Sequence, residues 1–412
     1  MSFTSLALNN KLLKSLTELG YELPTPIQEK AIPAILANED VMARAQTGTG
    51  KTAAFALPLL HRLISSLSVN LKKSGPKALI LVPTRELAQQ VHKNFMNYVN
   101  GTKLTVSVIH GGVSGKEALG KIKSGAEVVI ATPGRLIDNL RAEEFTLSDI
   151  TSVVLDEADR MLDLGFKDDI DFILSLITSK RQTLLFSATF NDDVYRFSKK
   201  HLDNPVIIEL DEQNTASDNV QQKIYTVDES RKRELTSFLI GSKNWKQVLV
   251  FTRTKKTADM LAKEMTKDGI KSEAIHSDKS QGARDRALQR FKDKSIRALI
   301  ATDIASRGID IVQLEYVINY ELPYQSEDYI HRIGRTGRAG NDGIAISLVS
   351  PSEDWLVEAV EKEIDETIIK EWYPGFEPDL AAPQTPKSHN KPNKKTVRNK
   401  ALARGKSSRR AR

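Results

Sequence analysis

The sequence predicts an α/β protein: two parallel-sheet domains in tandem, followed by a disordered basic C-terminal tail. Three observations predict it. Short apolar runs alternate with helical patterns of roughly 10–15 residues, the signature of βαβ units. The rhythm breaks near residue 218 and then restarts, so there are two such series. The charge is also segregated. The chain of 412 residues carries a formal +7, yet residues 387–412 hold 11 of its 60 Lys and Arg and none of its 53 Asp and Glu. The remaining 49 basic and 53 acidic groups leave residues 1–386 at a net −4.

In the first series, apolar Val41–Ala43 leads into a Gly/Thr-rich stretch and a helical run over Thr52–Ile64. Lys77–Val82 reads as a buried strand, with a helix from Glu86 through Tyr98. Glu127–Ala131, Ser152–Leu155, Gln182–Phe186 and Val206–Ile208 are further strands. In the second series, Gln247–Phe251 precedes a helix from Lys255, and Lys271–Ile275 precedes one from Gln281. Ile296–Ala301, Tyr316–Asn319 and Ile344–Val349 complete it.

Between the series, residues 211–219 are polar and aperiodic, which fits a linker; a surface loop inside one domain is the alternative. Two full series flank the stretch and favour the linker, giving domains at 1–210 and 220–380. From 381 to 412, Pro383, Pro386 and Pro392 punctuate a segment almost without large apolar residues. Such a segment cannot offset its ordering entropy, so disorder is expected.

Composition narrows the classes. With 40% hydrophobic residues there is ample material for two cores. The absence of cysteine removes disulfides, Cys-ligated zinc, iron–sulfur clusters and thiol nucleophiles. The start lacks a secretory pattern, and no apolar run approaches the ~20 residues that span a bilayer. A soluble cytoplasmic protein is the expectation.

The strongest local motif is Ala45-Gln46-Thr47-Gly48-Thr49-Gly50-Lys51-Thr52. It matches a phosphate loop, with Ala45 where the first glycine usually stands. Glycines let backbone N–H groups curl around phosphate oxygens, and the helix start adds partial positive charge. Lys51 would reach the β and γ phosphates, and Thr52 would ligate Mg²⁺. The other reading is a Gly/Thr-rich turn.

The second motif, Asp156-Glu157-Ala158-Asp159, closes an apolar strand. Asp156 stands where a Mg²⁺ carboxylate is needed, and Glu157 could polarise the attacking water. The bland alternative is a helix start with Asp as N-cap. The third motif, His331-Arg332-Ile333-Gly334-Arg335-Thr336-Gly337-Arg338, supplies Arg335 and Arg338 as candidates to meet γ-phosphoryl charge.

In this order, these pieces resemble the DEAD-box family of ATP-dependent RNA helicases, over about residues 1–380. The chain also has Phe3 and Gly20-Tyr21-Glu22-Leu23-Pro24-Thr25-Pro26-Ile27-Gln28, similar to the family's Q motif. It has Pro83-Thr84-Arg85-Glu86-Leu87, Gly111-Gly112, Thr132-Pro133-Gly134-Arg135 and Ser187-Ala188-Thr189. It has Val250-Phe251-Thr252-Arg253 and the stretch Ala301-Thr302-Asp303-Ile304-Ala305-Ser306-Arg307-Gly308-Ile309-Asp310. Among bacterial members it looks most like the RhlE type, with Ser277 and Ser306 where Gly and Ala are usual.

The resemblance implies two RecA-like domains, ATP and Mg²⁺ as cofactors, and RNA as the partner. It implies that Gln28 reads the adenine, that Asp310 bonds the ribose, and that the Gly308 backbone approaches the nucleotide. Phe3 and Tyr21 either pack near the base or are plain core. Thr84, Arg85, Gly112, Thr132, Gly134, Arg135, Arg253, Gln281, Arg284 and Thr302 match RNA-backbone positions, contacts that carry no sequence information. Thr84 and Thr132 would equally cap the helices they precede. His331, Asp159 and the segment Ser187-Ala188-Thr189 look like the connectors between ATP state and RNA state.

Expected roles are ribosome assembly or RNA turnover, with ribosomal precursors or RNA-decay proteins as partners. The rival readings are a DNA helicase of the same superfamily and a non-enzymatic RNA binder carried by the tail.

Overall fold

The computed structural model describes residues 2–45, 49–67, 75–112, 115–210, 220–303, 311, 314–337 and 342–379. The expected linker 211–219 and tail 381–412 lie outside the described residues, as do Gln46, Thr47, Gly48, Ser306, Gly308, Asp310 and Arg338.

Seven strands form the first sheet: β1 (Val41–Arg44), β2 (Ala78–Leu81), β3 (Val106–Ile109), β4 (Val128–Ala131), β5 (Ser152–Asp156), β6 (Gln182–Ser187) and β7 (Val206–Glu209). All pair in parallel, in the order β3-β4-β2-β5-β6-β1-β7. Such strands are buried on both faces, which is why they read as unbroken apolar runs. In β2, Ala78 and Ile80 enter the core on one face, and Leu79 and Leu81 the core on the other. Helices Asn10–Glu18, Pro26–Leu36, Lys51–Leu67 and Arg85–Tyr98 close the first face. Helices Pro133–Arg141, Lys167–Ser175 and Asp192–His201 close the second.

The second sheet holds β8 (Val220–Thr226), β9 (Val248–Thr252), β10 (Ser272–Ile275), β11 (Ala298–Thr302), β12 (Tyr316–Asn319), β13 (Gly343–Val349) and β14 (Lys370–Glu371). Its order is β10-β11-β9-β12-β13-β8-β14, again all parallel. Helices Lys232–Ser242 and Lys255–Lys267 cover one face. Helices Gln281–Lys292, Ser326–Ile333 and Asp354–Ile364 cover the other.

Two substantial strands escape the sequence pattern. In β3, Ser107 interrupts the apolar run and donates its hydroxyl to the Ala118 carbonyl at 3.0 Å. In β8, Gln221, Gln222 and Lys223 stay partly exposed, so no continuous apolar run exists to be read.

The strand order positions the chemistry. β6 lies between β5 and β1, with Asp156 level with Phe186 and Arg44 level with Ser187. The carboxyl ends of these three strands therefore bring together the Asp-Glu-Ala-Asp box, the Ser-Ala-Thr segment and the phosphate loop. Ligands of open parallel sheets bind at such ends.

Candidate active site between the two sheets

The phosphate loop is braced from below and behind. Ala45 donates its N–H to the Ser187 carbonyl at 3.0 Å. Gln28 is buried; its Nε2 donates to the Gly50 carbonyl at 3.1 Å and its Oε1 accepts from the Thr25 N–H at 3.0 Å. Gly50 has φ +91°, and any side chain there would collide with the Gln28 amide. Both ends of that amide thus already serve the loop, alongside the adenine role implied by resemblance.

Lys51 opens the following helix and is 7% exposed, and its Nζ has no hydrogen-bond partner. A desolvated ammonium without a partner is costly, so this is a place built for an anion. Thr49 follows the undescribed part of the loop, and Thr52 sits half-buried in the same first turn.

Asp156 is buried as the last residue of β5. Burial pushes its carboxyl up to about 6, against the pull of Lys51. Its Oδ1 accepts from the Glu157 N–H at 3.0 Å. The N-cap position belongs instead to Glu157, which makes no side-chain cap bond. Glu157 adopts φ 53°, ψ 54°, a left-handed conformation that costs a non-glycine residue roughly 1–2 kcal/mol. It is buried, and its Oε2 makes no hydrogen bond. Strain and an unpaired carboxylate oxygen coincide here, at the phosphate side of the sheet.

Asp159 gathers the neighbouring segment. Its Oδ2 accepts from Ala188 N–H at 3.2 Å, Thr189 N–H at 3.1 Å and the Thr189 hydroxyl at 3.3 Å. Ser187 Oγ accepts from Asp159 N–H at 3.3 Å and donates to the Thr189 carbonyl at 2.7 Å. The structure therefore brings Asp159, Ser187, Ala188 and Thr189 into one knot.

The second domain faces this half-site. Helix Ser326–Ile333 carries His331, half-buried, and Arg335 follows two residues beyond it, 3% exposed. Burial lowers the Arg335 pKa, and Glu157 of the first domain is the charge that opposes this. A carboxylate of one domain and a guanidinium of the other thus sense each other across the cleft.

The expected RNA contacts divide into two groups. Thr84 caps its helix, accepting from Leu87 N–H at 3.3 Å. Thr132 occupies an N-cap position but makes no side-chain cap bond, contrary to expectation, while its N–H donates to the Ile109 carbonyl. Arg85 lies against Gly111 and Gly112, where any Cβ would crowd its guanidinium; Gly112 has φ +92° and also faces Gln281 of the second domain. Gly134 meets open space, and Arg135 is partly exposed beside Asp138 at 3.7 Å. Thr302 is buried at the end of β11.

Three others are turned to carboxylates. Arg284 Nη1 lies 2.9 Å from Glu86 Oε1, and Gln281 Nε2 donates to the same oxygen at 3.1 Å. Arg253 pairs with Glu353 and with Glu321, and stacks its guanidinium 4.9 Å over Tyr324. Glu321 and Glu353 carry no motif signal of their own, and Glu86, although inside the Pro83–Leu87 motif, shows its partners only in the folded arrangement. The even choice for Phe3 resolves to core, whereas Tyr21 keeps an exposed edge and shares a 3.0 Å hydroxyl contact with Tyr98.

Two parallel α/β sheets, with a phosphate-loop lysine on one and the buried Arg335 on the other, define a nucleoside triphosphatase of RecA-like build. Comparison with known proteins narrows this. A DEAD/DEAH box helicase family model matches residues 25–197, and a helicase conserved C-terminal domain model matches residues 230–340. The chain is 44% identical over 367 residues to the DEAD-box ATP-dependent RNA helicase RhpA of Helicobacter pylori, covering 89% of this chain and 73% of that one. It is 39% identical over 361 residues to CshA of Geobacillus kaustophilus, covering 88% and 76%. Among solved structures, S. cerevisiae Dbp5 bound to RNA and ADP BeF3 superposes with TM-score 0.78 at 33% identity, covering 90% of this chain and 95% of that one. Mss116p bound to ssRNA and AMP-PNP superposes with TM-score 0.80 at 28% identity, covering 90% and 78%. The chain belongs to the DEAD-box ATP-dependent RNA helicases. It is an ATP-hydrolysing enzyme whose partner is RNA. No helix among the described residues is long and apolar enough to cross a membrane.

Proposed function

We propose that this helicase couples ATP hydrolysis to closure of its two domains and so opens short RNA duplexes locally, or remodels ribonucleoprotein, without long-range translocation. The observation that carries this is the split site. Lys51, Asp156 and Glu157 stand on one domain and Arg335 on the other, with Glu157 and Arg335 within electrostatic reach. Superposition supports the closed reading. The RNA- and nucleotide-bound Dbp5 and Mss116p fit at 0.78 and 0.80.

The residues fit the expected ligands. Lys51 and the loop amides hold the β and γ phosphates, and the unpaired Lys51 Nζ supports this assignment. Thr52 and the buried Asp156 carboxylate would hold Mg²⁺, a hard cation that takes few protein oxygens beside phosphate. Such an ion neutralises charge on the transferring phosphoryl group. Glu157 orients and deprotonates the attacking water, while Arg335, with Arg338, meets the charge that develops. Gln28 selects adenine. Asp159 and the Ser187-Ala188-Thr189 segment report the phosphate state toward His331.

On the RNA side, Thr84, Arg85, Gly112, Thr132, Gly134, Arg135 and Thr302 contact the backbone. Gln281 and Arg284 would contact RNA beside the Glu86 carboxylate that they hold. Arg253 presents a charge fixed by Glu321 and Glu353. Contacts to 2′-hydroxyls would select RNA over DNA.

Domain boundaries at 1–210 and 220–380, the RhlE type, a cytoplasmic location and a role in ribosome assembly or RNA turnover complete the proposal. The type and the pathway rest on the sequence resemblance, and the boundaries on the polar break between the two strand–helix series. A strand-displacement assay tests the activity: a short RNA duplex should open with ATP and not with GTP. Opening of a DNA duplex of the same sequence at an equal rate would refute the RNA-selective reading.

A further inference from the structure

Two aromatic rings stand together on the surface of the second domain. Tyr324 is 70% exposed and Trp355 is 46% exposed. Their ring centroids lie 6.5 Å apart, with the planes 18° from parallel. Single exposed apolar side chains are ordinary, but a contiguous aromatic face held in one orientation marks a binding surface. The Arg253 guanidinium lies 4.9 Å over the Tyr324 ring.

That orientation is built in. The Arg253 side chain is 13% exposed and clamped by two carboxylates: Glu321 Oε1 lies 3.6 Å from its Nε, and Glu353 pairs with its Nη2. Glu321 Oε2 also accepts from the Arg253 N–H at 2.7 Å. Glu353 is itself fixed, since it accepts from the Ser350 N–H at 3.1 Å and pairs with the buried Lys232. Glu321 precedes Tyr324 by three residues, and Glu353 precedes Trp355 by two. Trp355 stands in the first turn of helix Asp354–Ile364. The two glutamates that hold Arg253 therefore also set where the two rings stand.

Strand order says what would lie on them. Across the second sheet the order runs β10-β11-β9-β12-β13 before β8 and β14. At or just past the carboxyl ends of the first three strands come Gln281, Thr302 and Arg253, the residues assigned to the RNA backbone. Past the next two come Tyr324 and Trp355. The rings thus extend that row beyond Arg253, and β13 lies two strand spacings, about 10 Å, from β9. A single RNA strand following the row reaches them without a turn.

We propose that Tyr324 and Trp355 form a stacking platform for unpaired nucleobases, where the RNA strand leaves the backbone contacts at Arg253. Backbone contacts hold phosphate and sugar and leave the bases unread. The platform takes a base by its face, and it takes any base, because every base has a π-face. Single-stranded RNA beside a duplex thereby gains a handhold outside the cleft, so a duplex with a single-stranded extension should load better than a blunt one. The inference rests on the backbone row, and the test separates the two.

With ADP–beryllium fluoride present, binding is measured for a fluorescent oligouridylate and for a strand of equal length and charge built from abasic riboses. Arg135→Ala and Thr302→Val should weaken both strands alike; if neither variant did, the backbone row on which the inference rests would fall. Tyr324→Ala and Trp355→Ala should each weaken the uridylate about tenfold, the scale of one base on one ring, and shift the abasic strand less than about twofold. Tyr324→Phe and Trp355→Phe keep a ring and should bind like the parent. Equal losses on both strands would overturn the platform, as a fault of fold or closure. Unchanged uridylate binding would overturn it too, and would leave the rings to an apolar protein partner. The chain has three tryptophans, so Trp245→Phe/Trp372→Phe leaves Trp355 as the sole emitter. Uridylate should quench it and the abasic strand should not; equal emission with both strands would refute the stacking.

Discussion

Arg284 of the second domain and Glu86 of the first form an ion pair at 2.9 Å, with both side chains about nine-tenths buried. Gln281, one helical turn before Arg284, donates to the same carboxylate oxygen. One glutamate thus fastens a helix N-terminus of one domain to a helix N-terminus of the other, beside the residues assigned to RNA. Removing one partner of a buried pair costs about 3–5 kcal/mol, because the other charge is left uncompensated. Only the closed state contains this pair, and a cleft admits water, so the lower end applies. Glu86→Ala should therefore raise the RNA concentration for half-maximal ATPase by roughly a hundredfold, at about 1.4 kcal/mol per factor of ten. An RNA titration of the ATPase checks this; an unchanged midpoint would remove Glu86 from the closure interface.

Glu157 stands in a strained left-handed conformation with one unpaired carboxylate oxygen. Glu157→Gln keeps the shape and removes the proposed base. Turnover should fall about 10²–10⁴-fold, the usual contribution of general-base catalysis. ATP and RNA should stay bound together, and a filter-binding assay should recover the ternary complex. Normal turnover by this variant would reassign the base.

The second domain contains an acid-sensitive brace. Lys232, fully buried, and Arg253 both pair with Glu353. Burial alone pushes the Glu353 carboxyl up, but Lys232 and then Arg253 more than reverse this and hold it at about 2, below its ordinary 4.5. The folded value is the lower one, so ionised Glu353 stabilises the fold above about pH 4.5 and loses that effect as pH falls toward 2. The contribution is on the order of a few kcal/mol. Glu353→Gln should lower the melting temperature near pH 7 and flatten its decline between pH 4.5 and 2. A parallel decline in both proteins would show that the brace carries none of the acid sensitivity.

The basic segment from Lys387 to Arg412 calls for separate treatment, since the net −4 of the preceding residues leaves the positive charge there. Deleting it should spare the maximal ATPase rate and raise the RNA needed to reach it. The shift should be steeply salt-dependent, with a log–log slope of about −0.7 per single-strand phosphate contact. Identical RNA titrations at low salt with and without the segment would reduce it to a solubilising extension.

The fold was legible because parallel strands buried on both faces leave continuous apolar runs such as Ala78–Leu81 and Val128–Ala131. β3 and β8 escape the pattern for the converse reason, since Ser107 and the Gln221-Gln222-Lys223 stretch break any such run. The phosphate loop and the acidic box announce themselves because their chemistry is local, within a few residues of one strand end. The partners of Glu86 and Asp303 do not, although both residues lie inside quoted motifs. Glu86 meets its partner 195 residues later in Gln281, and Asp303 meets Arg332 29 residues later, after the chain has passed through β12. An isolated charge in a sequence reads as a solvated surface group, and the second sheet decides otherwise. The same distance effect hides the carboxylate partners of Arg253, Gln281 and Arg284. Their side chains match RNA positions by motif, while the folded chain also gives each a carboxylate partner distant in sequence, Glu353 for Arg253 and Glu86 for the other two.

Reciprocity is the core of the account: a site split between two domains must make ATP and RNA strengthen each other's binding by the same factor. The most direct measurement is the affinity for a fluorescent single-stranded RNA with and without ADP–beryllium fluoride, paired with the affinity for a fluorescent ATP analogue with and without RNA. The account predicts that each ligand tightens the other at least about tenfold, and by matching factors. Affinities that are equal in the presence and absence of the second ligand would contradict it.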